Sequence, residues 1–158
     1  VNTLQMNKNH DYHGVVANQL DTLNHLGIFS KSLPKPVAQY PQLADYDDKK
    51  AKLADRARSY LHANCSHCHR KWGGGNAEFQ LLASLPLNET GTLNTPPGQG
   101  KFGLQQPALL VAGKPTQSLI YHRMTRLGLG RMPHVGSAVP HQSAMELVRE
   151  WIQQLPQN

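Results

Sequence analysis

The most regular hydrophobic pattern lies near the end of the chain and predicts a helix from about His141 or Gln142 to Gln154. Apolar residues at helical spacing form one face of this helix: Ala144, Leu147, Val148, Trp151 and Leu155. Ser143 and Glu146 have the spacing of a capping box in its first turn. A helix with one apolar face must pack against another element, so this segment is expected to contribute to the core.

A second helix is predicted from Asp47 or Asp48 to about Asn64. Ala54, Ala57 and Leu61 share a face, and Leu53 and Tyr60 lie beside it. Acidic residues cluster at its start, where they interact favourably with the helix dipole. A shorter helix is predicted over Thr116–Thr125, opened by Pro115, because proline is favoured in the first turn.

The remaining segments show weaker periodicity. Val15–Leu26 has the spacing of one helix, which Gly27 would end. Residues 70–107 and 126–140 are rich in glycine and proline, which predicts loops, with a short helical piece around Ala77–Leu82. We therefore predict an all-α fold with long loops. Residues 1–47 form an N-terminal extension that packs on a domain of residues 48–158.

Composition limits the class of protein. The chain has 158 residues, enough for one domain, but only 39% are hydrophobic and 6% aromatic, so its core is expected to be modest. No apolar run approaches the roughly 18 residues of a membrane-spanning helix, which predicts no transmembrane segment. The formal net charge is +6. The basic residues form no dense run with interleaved aromatics, so nucleic acid is not expected as a partner.

The two cysteines of the chain are Cys65 and Cys68, and they stand in the pentapeptide Cys65-Ser66-His67-Cys68-His69. A C-x-x-C-H sequence is the attachment motif of c-type haem. In that motif two thiols bond to the two vinyl groups of one haem, and the following histidine ligates the iron. The sequence thus predicts one covalent haem c, held by Cys65 and Cys68, with His69 as the proximal ligand.

Three other interpretations of the cysteine pair are weaker. A structural zinc site needs further Cys or His ligands at similarly short spacing, and the other histidines form no such second pair. A thioredoxin-like C-x-x-C follows a strand in a βαβ pattern, whereas a charged helical segment precedes Cys65. A disulfide between Cys65 and Cys68 would leave His69 unexplained.

The second axial ligand of the iron is predicted to be Met132. It stands in a glycine- and proline-rich loop between two predicted helices, 63 residues after His69, and Pro133 would stiffen that loop. A methionine ligand raises the reduction potential, which suits an electron carrier. His134 and His141 flank Met132 and are alternative ligands. The other methionines, which are Met6, Met124 and Met145, fit incidental or core positions better.

The order of helix, C-x-x-C-H, loops, helix, Met-Pro loop and terminal helix resembles class I c-type cytochromes. Longer stretches are similar to an uncharacterised bacterial family of exported mono-haem cytochrome c domains: 56–69, 111–124, 131–136 and 147–152, together with 18–20 and 27–29. Members of that family occur alone or fused to other modules, including quinoprotein sugar-dehydrogenase-like and carbohydrate-binding ones. The resemblance implies a cytochrome c-like helical domain around one haem, in which the first and last helices cross. Ala57 stands where many class I members have glycine.

The expected function is therefore electron transfer rather than enzymatic catalysis. The resemblance implies that the partner is an exported, carbohydrate-active oxidoreductase. The excess of basic residues after Cys65, eight Lys/Arg against four Asp/Glu, favours an acidic docking surface on that partner. Haem attachment implies a periplasmic or extracellular location, with any export signal already removed. The alternative function is a haem enzyme or sensor whose sixth coordination site is open or labile.

Overall fold

The computed structural model describes residues 2–157, and this part of the chain is mostly helical. It contains five α-helices, three short 3-10 helices and one two-stranded hairpin, joined by long loops. The chain divides into two compact units between Ala44 and Asp45. The helical, loop-rich architecture predicted from the sequence is confirmed at this level. The predicted packing of residues 1–47 on the haem domain stays a prediction.

The first unit contains helix α1 (Thr3–Met6), strands β1 (Asn9–Asp11) and β2 (Val16–Asn18), and helix α2 (Gln19–His25). The strands pair antiparallel, with Asp11 opposite Val16. The prediction that a helix starts at Val15 is wrong, because residues 16–18 belong to the hairpin. The side chain of Asn18 then accepts a hydrogen bond from the Leu20 amide at 2.9 Å and caps α2.

The second unit contains helices α3 (Leu53–Cys65), α4 (Leu119–Met124) and α5 (Gln142–Gln154). Helix α3 begins later than the predicted Asp47 or Asp48. The Asp48 carboxylate accepts a hydrogen bond from the Lys50 amide at 2.9 Å. Such a local bond competes with helix formation, so the acidic run forms turns before the helix instead of its first turn.

Two further predictions in this unit need correction. Residues 77–82 are not helical, because the amide of Gln80 donates to the Thr90 carbonyl at 2.8 Å and that of Leu81 to the His69 carbonyl at 2.8 Å. Pro115–Gln117 form a 3-10 helix, and α4 follows it. Helix α5 has nearly its predicted bounds, but the capping box does not form, since no side chain caps its first turn.

The core lies where α3 packs against α5. It consists of apolar side chains that are at most 9% exposed: Ala57, Leu61, Leu81, Leu110, Ile120, Leu147, Val148, Trp151 and Ile152. Ala57 is fully buried in the same cluster as Trp151, which is 4% exposed. A small residue on α3 thus belongs to the same core as a large aromatic residue on α5. This packing fixes the helix that ends at Cys65.

Candidate functional site

The C-x-x-C-H residues continue helix α3 through one further turn. The amides of Cys68 and His69 both donate to the carbonyl of Cys65, at 3.1 and 2.9 Å. Just before this turn, the Ser66 hydroxyl donates to the His62 carbonyl at 2.7 Å and is buried. The helix and its hydrogen-bonded extension therefore set the positions of both thiols and of the imidazole.

A cavity of about 470 Å³ brings the four predicted site residues together. Cys65, Cys68, His69 and Met132 all line its wall. Its volume falls within the ~300–1,000 Å³ of typical ligand and cofactor sites. The rest of the wall is largely apolar and includes Phe79, Leu81, Leu109, Leu119, Ile120 and Met124. Two thiols, an imidazole and a thioether thus face one space, although 63 residues separate His69 from Met132.

The loop that carries Met132 is attached to the end of helix α4. The Met132 amide donates to the carbonyl of Arg123 at 2.9 Å, and the Met132–Pro133 peptide is cis. The guanidinium of Arg131 donates to the carbonyl and the hydroxyl of Ser137 and to the carbonyl of Ala138. The bonds of Arg131 fix the conformation of the loop, and the bond to Arg123 holds Met132 on the cavity wall.

Glycines after the pentapeptide let the chain fold back tightly on Cys68. The amide of Gly75 donates to the Cys68 carbonyl at 3.1 Å, and the amide of Gly73 donates to the Arg70 carbonyl at 2.9 Å. A Cβ atom on Gly73 would collide with the Cys68 carbonyl oxygen, whereas one on Gly74 would meet nothing within 4 Å. Close backbone approach therefore explains Gly73.

The surroundings of His69 favour its neutral form and leave one ring nitrogen without a partner within residues 2–157. Its Nδ1 atom is buried and has no hydrogen-bond partner within the described residues 2–157. The ring stacks on Phe79, with centroids 4.4 Å apart and planes 14° apart. Burial lowers the pKa of His69, and the positive charge of Arg123 lowers it further. The neutral imidazole is the form that binds a metal.

The cysteines do not resemble a reactive dithiol. Both are free thiols. Burial, with a smaller contribution from Cys68, raises the pKa of the Cys65 thiol to about 12. A redox-active C-x-x-C needs a lowered thiol pKa, because the thiolate is the nucleophile. The environment of Cys65 therefore opposes the thioredoxin-like interpretation.

The other methionines and histidines considered as axial ligands near Met132 line two different cavities. Met124 and His134 line the same cavity as Met132. His141 and Met145 instead line an adjoining cavity of about 260 Å³, to which Cys65 and Met132 also contribute. In this adjoining cavity the ring of Tyr60 lies 5.6 Å from that of His141. His67 is exposed.

A cationic cluster that the sequence analysis did not identify borders both cavities. Arg123 lines the larger cavity and Arg126 the smaller one, and each guanidinium lies 5.1 Å from the centre of the Phe102 ring. The Nε atom of Arg126 is buried without a partner in the described part of the chain. Burial, then the charge of Arg126, lowers the pKa of Arg123. Arg123 lies on α4 and Arg126 lies just after it, so the sequence itself shows two cations three positions apart. Nothing in the sequence indicates that both contact Phe102.

The structure adds two further findings. Within residues 2–157 no group of three or more His, Cys, Asp or Glu side chains is arranged so that it could hold a metal ion on its own, whereas a structural zinc site normally has four Cys or His ligands. Also within these residues, no helix is long and apolar enough to cross a membrane.

Comparisons of the chain with protein-family models, curated proteins and solved structures find no match. The fold and site thus define a mostly helical protein in which two thiols, an imidazole and a thioether line one cavity of about 470 Å³.

Proposed function

We propose that the chain is a mono-haem c-type cytochrome domain of the class I type that transfers single electrons. The observation that carries the proposal is the convergence of Cys65, Cys68, His69 and Met132 on one cavity. When bound, haem supplies one-electron exchange at its iron. Cys65 and Cys68 would hold the group covalently, and His69 and Met132 would be the axial ligands.

Three properties of the cavity fit this cofactor. Its apolar wall suits the porphyrin ring, and burial lowers the pKa of the His69 imidazole on that wall, which favours the neutral form that ligates a metal. The raised pKa of Cys65 keeps that thiol protonated and protected from disulfide chemistry. The half-buried guanidiniums of Arg123 and Arg126 would offset the two negative propionates of haem, because hydrogen bonds between charged groups are stronger than those between neutral ones.

The residues around the ligands would tune the reduction potential. Phe79 stacks on His69 and restricts the imidazole ring, while the cation cluster beside the cavity favours the reduced iron, which carries less positive charge. A thioether ligand from Met132 acts in the same direction. The protein would therefore accept electrons readily. The resemblance described in the sequence analysis suggests that the donor is an exported oxidoreductase that acts on carbohydrates.

The experiment is expression of the chain in a bacterial periplasm with the cytochrome c maturation system. The denatured, acid-acetone-washed protein is expected to keep its haem absorbance, because thioether bonds survive extraction. The Cys65→Ala/Cys68→Ala double variant should lose that absorbance, and Ser66→Ala, which leaves both thiols in place, should keep it. Release of all haem from the unaltered protein would refute the proposal.

A further inference from the structure

The loop that follows the C-x-x-C-H pentapeptide exposes a large aromatic side chain. Trp72 is 91% exposed, whereas the other tryptophan, Trp151, is only 4% exposed. Tryptophan is enriched in protein interfaces, and it often dominates their binding energy, because a large apolar ring gains most from being covered. The exposure of Trp72 is therefore the first sign of an interface.

The backbone presents this side chain in an unfavourable but fixed conformation. Trp72 has a φ angle of +63°, in the left-handed region that bulky residues rarely adopt. The residues around it are held by hydrogen bonds: the Lys71 amide donates to the Gln80 side chain at 3.1 Å, and the Gly73 amide donates to the Arg70 carbonyl at 2.9 Å. A loop that is already ordered loses little conformational freedom when a partner binds.

The two residues that precede Trp72 in the chain are both positively charged. Arg70 and Lys71 are exposed, and residues 70–77 contain no carboxylate. The Lys71 ammonium lies 5.5 Å from the centre of the Trp72 ring. An apolar centre flanked by cations complements a surface that has an apolar recess with a carboxylate rim.

The loop is also attached directly to the candidate site. The amide of Gly75 donates to the Cys68 carbonyl at 3.1 Å, and Gly74 and Gly75 line the cavity that Cys68 lines. A protein bound at Trp72 would therefore lie beside the covalent attachment point of the cofactor.

We infer that Trp72, with Arg70 and Lys71, is the docking anchor for an acidic redox partner protein. This inference rests on the proposed electron-transfer function. In the complex the partner's one-electron centre is oxidised and the iron of this protein is reduced from ferric to ferrous. No covalent bond forms or breaks, and no proton is transferred.

The test is stopped-flow reduction of the haem-loaded protein by a reduced acidic blue-copper protein, used as the probe. Trp72→Ala and Trp72→Gly should each lower the second-order rate constant by about three- to tenfold, and Trp72→Phe should keep most of it. The glycine variant removes the side chain and also relieves the left-handed strain, so a loss shared by both variants belongs to the ring. Leu129→Ala, which removes another side chain that is 91% exposed, should have no effect.

Two further measurements separate the contribution of the Trp72 ring from that of the Arg70 and Lys71 charges. Arg70→Gln/Lys71→Gln should flatten the dependence of the rate on salt, whereas Trp72→Ala should lower the rate at every salt concentration. In ¹⁵N NMR spectra of the haem-loaded protein, the probe should shift the indole N–H signal of Trp72 and leave that of buried Trp151 in place.

Equal rates for Trp72→Ala, Leu129→Ala and the unaltered protein would overturn the docking assignment while leaving the electron-transfer function intact. Loss of binding to anionic phospholipid vesicles in Trp72→Ala, with unchanged rates, would also overturn it in favour of a membrane contact. Failure of the proposed function has a different signature, which is the absence of covalent haem from the unaltered protein.

Discussion

Replacing Gly73 by alanine tests whether the loop behind Cys68 is as tightly packed as the structure shows. The Cβ atom of an alanine would collide with the Cys68 carbonyl oxygen, and the nearby atoms are backbone rather than flexible side chain. Forcing extra atoms into a packed region costs about 1–3 kcal/mol. Gly74 is the matched control, because a Cβ atom there meets nothing within 4 Å. Neither glycine has a positive φ angle, so left-handed strain does not enter the comparison.

The two variants should therefore differ in stability. Gly74→Ala is expected to be neutral or to stabilise by about 0.4–1 kcal/mol, because alanine restricts the unfolded chain. Gly73→Ala should lower the free energy of unfolding by about 1–3 kcal/mol and reduce the yield of covalent haem, since it displaces the residue that carries the second thiol. Guanidinium titrations of both purified proteins measure the difference, and haem absorbance per chain measures the yield. Equal stability and yield in the two variants would refute the tight packing of residues 73–75 on Cys68.

Three further substitutions address the core, the distal ligand and the cation cluster. Trp151→Ala should lower the free energy of unfolding by about 3–5 kcal/mol in a denaturant titration, because the ring is buried between helices; a loss below ~1 kcal/mol would contradict that packing. Met132→Ala should lower the reduction potential and admit carbon monoxide to the iron, and unchanged spectra would exclude Met132 as the ligand. Arg126→Gln should lower the reduction potential by tens of millivolts relative to Arg149→Gln, which changes an exposed arginine and serves as the control. For a one-electron couple, about 59 mV corresponds to a tenfold change in the equilibrium constant. Equal potentials in these two variants would place Arg126 outside the electrostatic environment of the iron.

The second unit was more predictable from the sequence than the first because its helices carry continuous apolar faces. Helix α5 has such a face, and its bounds in the structure nearly coincide with the predicted ones. The start of α3 was less predictable, because acidic residues are common both at helix starts and in local turns. The side chain of Asp48 forms such a turn by accepting a hydrogen bond from the Lys50 amide. The hairpin of residues 9–18 depends on pairing between short, largely exposed strands, for which hydrophobic periodicity gives no signal.

The residues of the candidate site that belong to a short sequence motif were predictable. The C-x-x-C-H spacing identified three residues that the structure places on one cavity, and the glycine- and proline-rich loop identified the fourth. Phe79 and Phe102 escaped prediction, because their roles depend on long-range folding that brings them to His69 and to the two arginines. A lone phenylalanine in a loop carries no local pattern that would reveal such a contact.

The central claim is that a covalent haem is ligated on one side by His69 and on the other by Met132. Optical spectra of the oxidised and reduced protein, recorded with and without carbon monoxide, test it most directly. The account predicts a low-spin spectrum with a methionine–iron charge-transfer band and no binding of carbon monoxide. A high-spin spectrum, or ready binding of carbon monoxide, would contradict it and would indicate a haem enzyme or sensor with an open sixth site.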